Sequence, residues 1–163
     1  MSDERVFPDV SRGDFLKLAG LSALLPLIGS TPSASAAESR ERVYVVTHSD
    51  DDVDRAALAL LLAGIDAKRI GKELSAVTVW FTLQGGKLCK KGVAEGLNSP
   101  IFKKFGTLAD ILGEAVKAGA KLAACPFCVD FYEIPKTEYL DGLERKGGDF
   151  VAAQVGKADV IWM

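Results

Sequence analysis

Residues 43–52 read Val-Tyr-Val-Val-Thr-His-Ser-Asp-Asp-Asp, and this stretch indicates the fold more clearly than any other. The β-branched and aromatic side chains at 43–47 are typical of a buried strand. The aspartates at 50–52 supply an N-cap and first-turn carboxylates, which are typical of the positive end of a helix. The stretch therefore predicts a strand that turns directly into a helix.

The same alternation of strand and helix continues along the rest of the chain. Residues 52–70 have apolar side chains at helical spacing, and Gly71 ends this predicted helix. Further strands are predicted at 76–82, 121–124 and 159–162, and further helical segments at 88–97, 107–118, 126–133, 136–140 and 149–156. Strands separated by helices favour right-handed crossovers, which place helices on both faces of a parallel sheet. We predict an α/β domain with a mostly parallel sheet of four or five strands.

The N-terminal segment has the pattern of an export signal. Residues 18–28 form an apolar run that is too short to span a bilayer as a helix, and the small residues at 34–36 fit a signal-peptidase site. The segment 11–17 is similar to the twin-arginine export motif, with Gly13 in place of the second arginine. A buried core helix and an uncleaved membrane anchor are the alternatives.

These observations divide the chain into a cleavable signal peptide at 1–37 and one α/β domain at 38–163. They predict that the mature protein lies in the periplasm or another extracytoplasmic compartment. The chain has 20 basic and 22 acidic residues, and residues 1–37 hold three of the former and four of the latter, so the mature net charge is −1. A nearly neutral domain has no strong field to attract nucleic acid, so we expect no nucleic-acid partner.

The candidate site lies where three predicted strands end. Functional sites in open parallel sheets form at the carboxyl ends of the strands. The first strand is followed by His48, the second runs into Thr82-Leu83-Gln84, and the third runs into Cys125. We therefore expect the only histidine and the motif Cys125-Pro-Phe-Cys128 to share one edge of the sheet.

The Cys-Pro-Phe-Cys motif is suited to sulfur chemistry. Cys125 lies at a predicted strand-to-helix junction, where free N–H groups and the helix dipole stabilise a thiolate. Cys128 comes one helical turn later, can reach the same sulfur and has less access to those N–H groups. The pair is thus predicted to be a nucleophile and its resolving thiol. His48 is either a loop residue or a proton carrier.

Two other interpretations of the cysteines remain open. The motif can form an inert disulfide in an oxidising compartment. Alternatively, Cys89, Cys125, Cys128 and His48 together could form a Cys₃His zinc site. The pair Gly85-Gly86 lacks the Lys-Ser/Thr of a phosphate-binding loop. We expect no cofactor and no metal.

The order of these motifs resembles the DsrE/DsrF-like family of small sulfur-relay proteins. The resemblance covers nearly all of residues 43–163. It rests on the first strand and its acidic helix start with Arg55, the strand and loop at 79–85, the helix at 108–118 with Gly119, the strand that ends at Cys125, and the final strand at 158–162. The export signal and the second cysteine of the motif depart from the basic family pattern.

The resemblance implies a three-layer, flavodoxin-like sandwich that assembles into a homo-oligomer, a trimer or a hexamer. It also implies that the cysteine after the third strand, here Cys125, carries a persulfide between donor and acceptor proteins or small sulfane-sulfur compounds. The resulting hypothesis is an exported sulfur carrier or sulfurtransferase in which Cys128 resolves the persulfide and His48 carries a proton. A thiol–disulfide oxidoreductase and a non-catalytic binding module with a structural disulfide are the alternatives.

Overall fold

The computed structural model describes residues 40–163, which form a five-stranded sheet with helices packed against it. The strands are β1 (Arg40–Val46), β2 (Leu74–Phe81), β3 (Lys121–Ala124), β4 (Leu143–Arg145) and β5 (Ala158–Trp162). Their order in the sheet is β4-β3-β2-β1-β5, and every pair of neighbours is parallel. The predicted α/β class and the three-layer, flavodoxin-like architecture are confirmed. The predicted signal peptide lies outside the described residues.

Four α-helices accompany the sheet: α1 (Val53–Ala67), α2 (Leu108–Lys117), α3 (Pro126–Phe131) and α4 (Gly148–Gln154). Helix α1 begins as its sequence predicts, because the side chain of Asp52 accepts the N–H of Arg55 at 3.0 Å. Helix α2 begins with a reciprocal cap between Thr107 and Asp110. Within residues 40–163 none of the helices has the length and apolar character that crossing a membrane requires.

Both faces of the sheet are buried, as the strand sequences require. The side chains of Tyr44 and Val46 pack on one face with α1 and α2, whereas Val43 and Val45 pack on the other face. The second face also holds Trp80 and is covered by α4. Successive strand residues point to opposite faces, so this continuous apolar run is what a strand buried on both sides needs.

Two segments differ from the prediction. The helix expected at 88–97 is replaced by a 3₁₀ helix at Leu83–Cys89, directly after β2, and a shorter one at Ala94–Gly96. The helix expected at 136–140 is reduced to a 3₁₀ turn at Lys136–Glu138, and β4 follows it. Because β4 is a three-residue edge strand with two charged side chains, it carries no apolar alternation that would predict it.

A polar cluster closes the amino end of the sheet. The buried carboxylate of Asp66, at the end of α1, accepts hydrogen bonds from Arg42 and from the Tyr44 hydroxyl, both at 2.5 Å. Arg42 also binds Asp159 of β5 at 3.1 Å. Burial raises the pKa of Asp66, but the hydrogen bonds from Tyr44 and Arg42 outweigh it and leave that pKa below its ordinary value. The cluster thus joins α1, β1 and β5.

Candidate functional site

The carboxyl ends of β1, β2 and β3 lie side by side, as predicted. Val46 is in register with Phe81, and Phe81 is in register with Ala124. The residue that follows β2 and the residue that follows β3 each continue the hydrogen bonding of the sheet. The N–H of Thr82 donates to the carbonyl of Val46 at 3.0 Å, and the N–H of Cys125 donates to the carbonyl of Phe81 at 2.9 Å. The sheet itself therefore fixes the backbone of Cys125.

Cys125 is the N-cap residue of α3 and is largely buried, with 9% of its surface exposed. The helix supplies fewer N–H groups to it than the sequence predicted. Helix α3 has only six residues, its first residue is Pro126, which has no N–H, and the N–H of Cys128 donates to the carbonyl of Cys125 at 3.1 Å. The prediction that several free N–H groups of this helix stabilise a Cys125 thiolate is therefore not supported by the start of α3.

Cys128 is the cysteine whose sulfur receives hydrogen bonds. The N–H of Leu83 donates to the Cys128 Sγ at 3.1 Å, and the Thr82 Oγ1 lies 3.5 Å from the same sulfur. This donor comes from the loop after β2 and not from the start of α3, so it is one that the sequence did not predict. Burial raises the pKa of the Cys128 thiol, and the hydrogen bonds from Thr82 and Leu83 oppose that rise.

The loop after β2 reaches Cys128 because it contains two adjacent glycines. A Cβ at Gly85 would collide with the carbonyl oxygen of Val46, and a Cβ at Gly86 would lie 2.9 Å from the Cβ of Cys128. Leu83 has a φ of +50°, a left-handed conformation that is unfavourable for a leucine. Such strain persists only where the surroundings impose it, and it is found often at functional sites. Here it directs the Leu83 N–H at the Cys128 sulfur.

Polar side chains from two neighbouring loops surround this arrangement. The Tyr132 hydroxyl donates to the Gln84 Oε1 at 3.1 Å, which ties the end of α3 to the β2 loop. The ammonium group of Lys87 lies 5.7 Å from the centre of the Tyr132 ring and binds Asp50 at 2.8 Å. Sequence reasoning assigned no role to Thr82, Gln84 or Tyr132, and the adjacent glycines were the one signal that the β2 loop packs closely.

His48 lies at the same edge of the sheet but is engaged by its own loop. Its Nδ1 lies 2.6 Å from the Asp51 carboxylate, and its Nε2 lies 3.1 Å from a guanidinium nitrogen of Arg55. Because arginine only donates, Nε2 is the acceptor and Nδ1 carries the proton. In the described part of the chain no hydrogen bond links His48 to Cys125 or Cys128.

Cys89 does not take part in an assembled metal centre. It is fully buried, and burial raises the pKa of its thiol far above the ordinary range. Among residues 40–163, no three or more His, Cys, Asp and Glu side chains come together in a group that could hold a metal ion. The Cys₃His arrangement that the sequence left open is therefore not formed. All three cysteines are free thiols.

An apolar groove of about 600 Å³ lies elsewhere on the domain. It runs along α1 and is bordered by Leu58, Ile65, Ile101 and Phe105, with α2 at its base. None of the three cysteines and no part of the β2 loop lines it. The groove and the cysteine motif are therefore separate surfaces.

Comparison with known proteins supports the fold. No protein-family model and no curated protein matches the sequence. The fold is similar to that of the ychN protein from E. coli, with a TM-score of 0.61, 14% identity, and coverage of 77% of this chain and 99% of that one. It is also similar to BT1422 from Bacteroides thetaiotaomicron, a conserved protein of unknown function, with a TM-score of 0.53, 10% identity, and coverage of 79% and 99%.

At such low identities these likenesses concern the fold alone. The ychN protein has a DsrE-like fold, so at that level the comparison agrees with the resemblance found in the sequence. A function for this chain has to be argued from its own site.

Proposed function

We propose that this protein is an exported, DsrE-like sulfur carrier that accepts sulfane sulfur as a persulfide on Cys125 and passes it to a partner thiol. The observation that carries the proposal is the pair of free thiols at the carboxyl edge of the sheet, one fixed by the strand ladder and the other held by Leu83 and Thr82. Two thiols one helical turn apart can act in sequence on the same sulfur atom.

The proposed loading step is a thiolate displacement. The Cys125 thiolate attacks the sulfane sulfur of a donor, a new S–S bond forms, and the remainder of the donor leaves with the electron pair of the bond that breaks. In transfer, the thiolate of a partner attacks the outer sulfur and Cys125 leaves as a thiolate. Neither step needs an outside oxidant or reductant, because the sulfane sulfur only changes its partner.

Cys128 is suited to a second, resolving role. Burial raises the pKa of its thiol, which lowers the fraction of Cys128 thiolate at neutral pH and disfavours Cys128 as the group that takes sulfur from the donor. Attack of Cys128 on the inner sulfur of a Cys125 persulfide forms the Cys125–Cys128 disulfide and releases the outer sulfur as hydrosulfide. The two cysteines are then oxidised by two electrons and the sulfane sulfur is reduced by two.

His48 is the proposed proton carrier for these steps. Asp51 orients its ring in the way that a carboxylate orients a catalytic imidazole. The Arg55 contact to Nε2 has to open before that nitrogen can exchange a proton with a sulfur group.

Export and assembly complete the proposal. The mature protein would lie in the periplasm or another extracytoplasmic compartment, and it would form a homo-oligomer, a trimer or a hexamer. Exposed apolar side chains along the groove, such as Ile65, Ile101 and Phe105, are costly on a monomer and support self-association. Light scattering at micromolar concentration should give a multiple of the subunit mass, and a single subunit mass would contradict this part of the proposal.

The test is sulfur loading of the reduced mature protein with an inorganic polysulfide, followed by intact mass spectrometry. Wild type should gain about 32 Da, the mass of one sulfur atom. The Cys125→Ser variant should gain nothing. Cys128→Ser should load and keep the persulfide longer, because its resolving thiol is gone, and Cys89→Ser should behave as wild type because that thiol is buried.

A different pair of results would favour the alternative of a thiol–disulfide oxidoreductase. In that case wild type would form only the Cys125–Cys128 disulfide, and Cys128→Ser would gain no sulfur. The observation that favours this alternative is the pair of hydrogen-bond donors at the Cys128 sulfur, because such donors stabilise the negative charge that develops on a sulfur leaving in disulfide exchange. If the disulfide forms but neither persulfide nor disulfide exchange is catalysed, a non-catalytic binding module remains.

A further inference from the structure

The surface next to the cysteine motif carries three large apolar side chains that the proposed chemistry does not use. Leu83, Phe127 and Phe131 have 62%, 82% and 78% of their surface exposed, respectively. The two phenylalanines are the most exposed of the large hydrophobic residues in the described part of the chain. We refer to these three residues as the apolar collar.

The collar is continuous with the reactive sulfurs. The backbone of Leu83 donates its N–H to the Cys128 sulfur, and Phe127 directly precedes Cys128 in α3. Phe131 lies four residues after Phe127 and therefore on the same side of the helix. Val129, between them in sequence, is buried in the core. The collar therefore adjoins the Cys128 sulfur, the less buried of the two sulfurs of the motif.

Two charged side chains next to this region are held in ion pairs. Arg145 binds the Asp130 carboxylate of α3 at 2.6 Å and reaches the carbonyl of Pro126 at 3.5 Å. Lys87, which lies over the Tyr132 ring, binds Asp50 at 2.8 Å. Because these two cations are already neutralised within the chain, the region favours a partner that is uncharged and apolar next to its thiol.

We propose that the apolar collar is the docking surface for a protein acceptor whose reactive cysteine is flanked by uncharged apolar side chains. This inference rests on the proposed sulfur-carrier function and names the class of its acceptor. Burying aromatic side chains next to a reacting group is a common source of binding energy at protein interfaces. A small charged thiol such as glutathione gains little from the collar, because it has no apolar surface to cover two phenylalanine rings.

The experiment compares sulfur transfer to three acceptors from protein first loaded with inorganic polysulfide. The acceptors are a synthetic peptide with one cysteine between Leu and Phe, a peptide of the same length with Gly and Ser in those positions, and glutathione. The proteins are wild type, the double variant Phe127→Ser/Phe131→Ser, and the control Val155→Ser, which removes an apolar side chain that is 69% exposed and lies on α4's C-cap. Loading is measured by mass before transfer is started.

We expect wild type and Val155→Ser to transfer sulfur to the Leu/Phe peptide about tenfold faster than to the Gly/Ser peptide, a difference of about 1.4 kcal/mol. The double variant should load normally, transfer to glutathione at the wild-type rate and lose the preference between the peptides. Equal transfer rates to both peptides in wild type would contradict the proposal that the apolar collar is the docking surface. A preference for the Leu/Phe peptide that survives in the double variant would contradict it as well.

Two other results would have a different meaning from a lost peptide preference. If wild type never loads, the sulfur-carrier function fails before the collar is tested, and a disulfide-exchange assay with the same peptides then decides whether the collar selects apolar thiols. If the double variant changes the mass measured by light scattering, the collar is an interface between copies of this chain, and the proposal of a separate acceptor is wrong.

Discussion

The two ends of the sheet place polar and reactive groups in opposite situations. At the amino end, Asp66 is buried and accepts hydrogen bonds from Arg42 and Tyr44, so that its charge is neutralised within the fold. At the carboxyl end, the Cys128 sulfur receives donors from a strained loop while Leu83 and two phenylalanines remain exposed around it. The amino end neutralises its buried charge within the fold, whereas the carboxyl end, where we propose the chemistry, combines a strained loop with exposed apolar side chains.

The largest effect is expected from Gly85→Ala at the carboxyl end. The added methyl group would collide with the Val46 carbonyl, so the β2 loop must move away from the end of β1. We expect the free energy of unfolding to fall by about 3 kcal/mol, as measured by chemical denaturation. The control Gly113→Ala, at an open position in α2, should be neutral or stabilising by up to about 1 kcal/mol. Equal stabilities for the two variants would show that the loop is not held as described.

A smaller loss of stability, without loss of chemistry, is expected from Asp66→Asn at the amino end. The substitution removes the charge that accepts from Tyr44 and Arg42, but Arg42 keeps Asp159 as a partner, so the expected cost is about 2 kcal/mol. Sulfur loading of this variant should equal that of wild type. Asp141→Asn, at an exposed ion pair with Lys91, is the control and should cost less than about 0.5 kcal/mol. Reduced sulfur loading in Asp66→Asn would contradict the claim that the amino end of the sheet does not affect the chemistry at the carboxyl end.

The contribution of Asp66 should also depend on pH. The pKa of Asp66 in the folded protein is lower than the ordinary value of 3.8, so the stabilisation is complete above that ordinary value and is lost as the pH falls from it through the lower folded pKa. Denaturation curves at several pH values should therefore show the difference between wild type and Asp66→Asn shrinking below about pH 4. A difference that is constant from pH 7 to pH 3 would contradict the charged network.

The smallest effect concerns the hydroxyl of Thr82. Its hydrogen bond lowers the pKa of Cys128, so Thr82→Val should raise that pKa and reduce the thiolate fraction at a fixed pH. In a Cys125→Ser background we expect alkylation of Cys128 at about pH 8 to slow by about threefold, the size of a weak hydrogen bond. Thr82→Ser keeps the hydroxyl and should restore the rate. An unchanged alkylation rate in Thr82→Val would show that the Thr82 hydroxyl does not affect the pKa of Cys128.

The sequence predicted those parts of the fold that depend on local pattern. The apolar run of β1, the Asp52 cap and the Thr107 helix start all act within a few residues, so their signals can be read directly. The position of Cys125 at the end of β3 also followed from local pattern, together with the rule that parallel strands end at one edge.

What the sequence could not predict depends on contacts between distant segments. The Leu83 N–H reaches Cys128 only because two glycines let the β2 loop approach α3, and the two residues are 45 positions apart. The edge strand β4 has its place through pairing with β3, since its own residues Leu143–Arg145 carry no strand pattern. The start of α3 offers Cys125 fewer N–H groups than predicted, because Pro126 has no N–H and the helix has only six residues.

The most direct test of the central claim is to locate the sulfur within the motif. Cys125 and Cys128 lie on the same tryptic peptide, residues 122–136, so fragment ions from polysulfide-treated wild type can assign the added mass to one sulfur. The account predicts that the increase of about 32 Da, one sulfur atom, falls on Cys125 after brief treatment. An increase that falls on Cys128 alone, or loading that persists after Cys125→Ser, would contradict it.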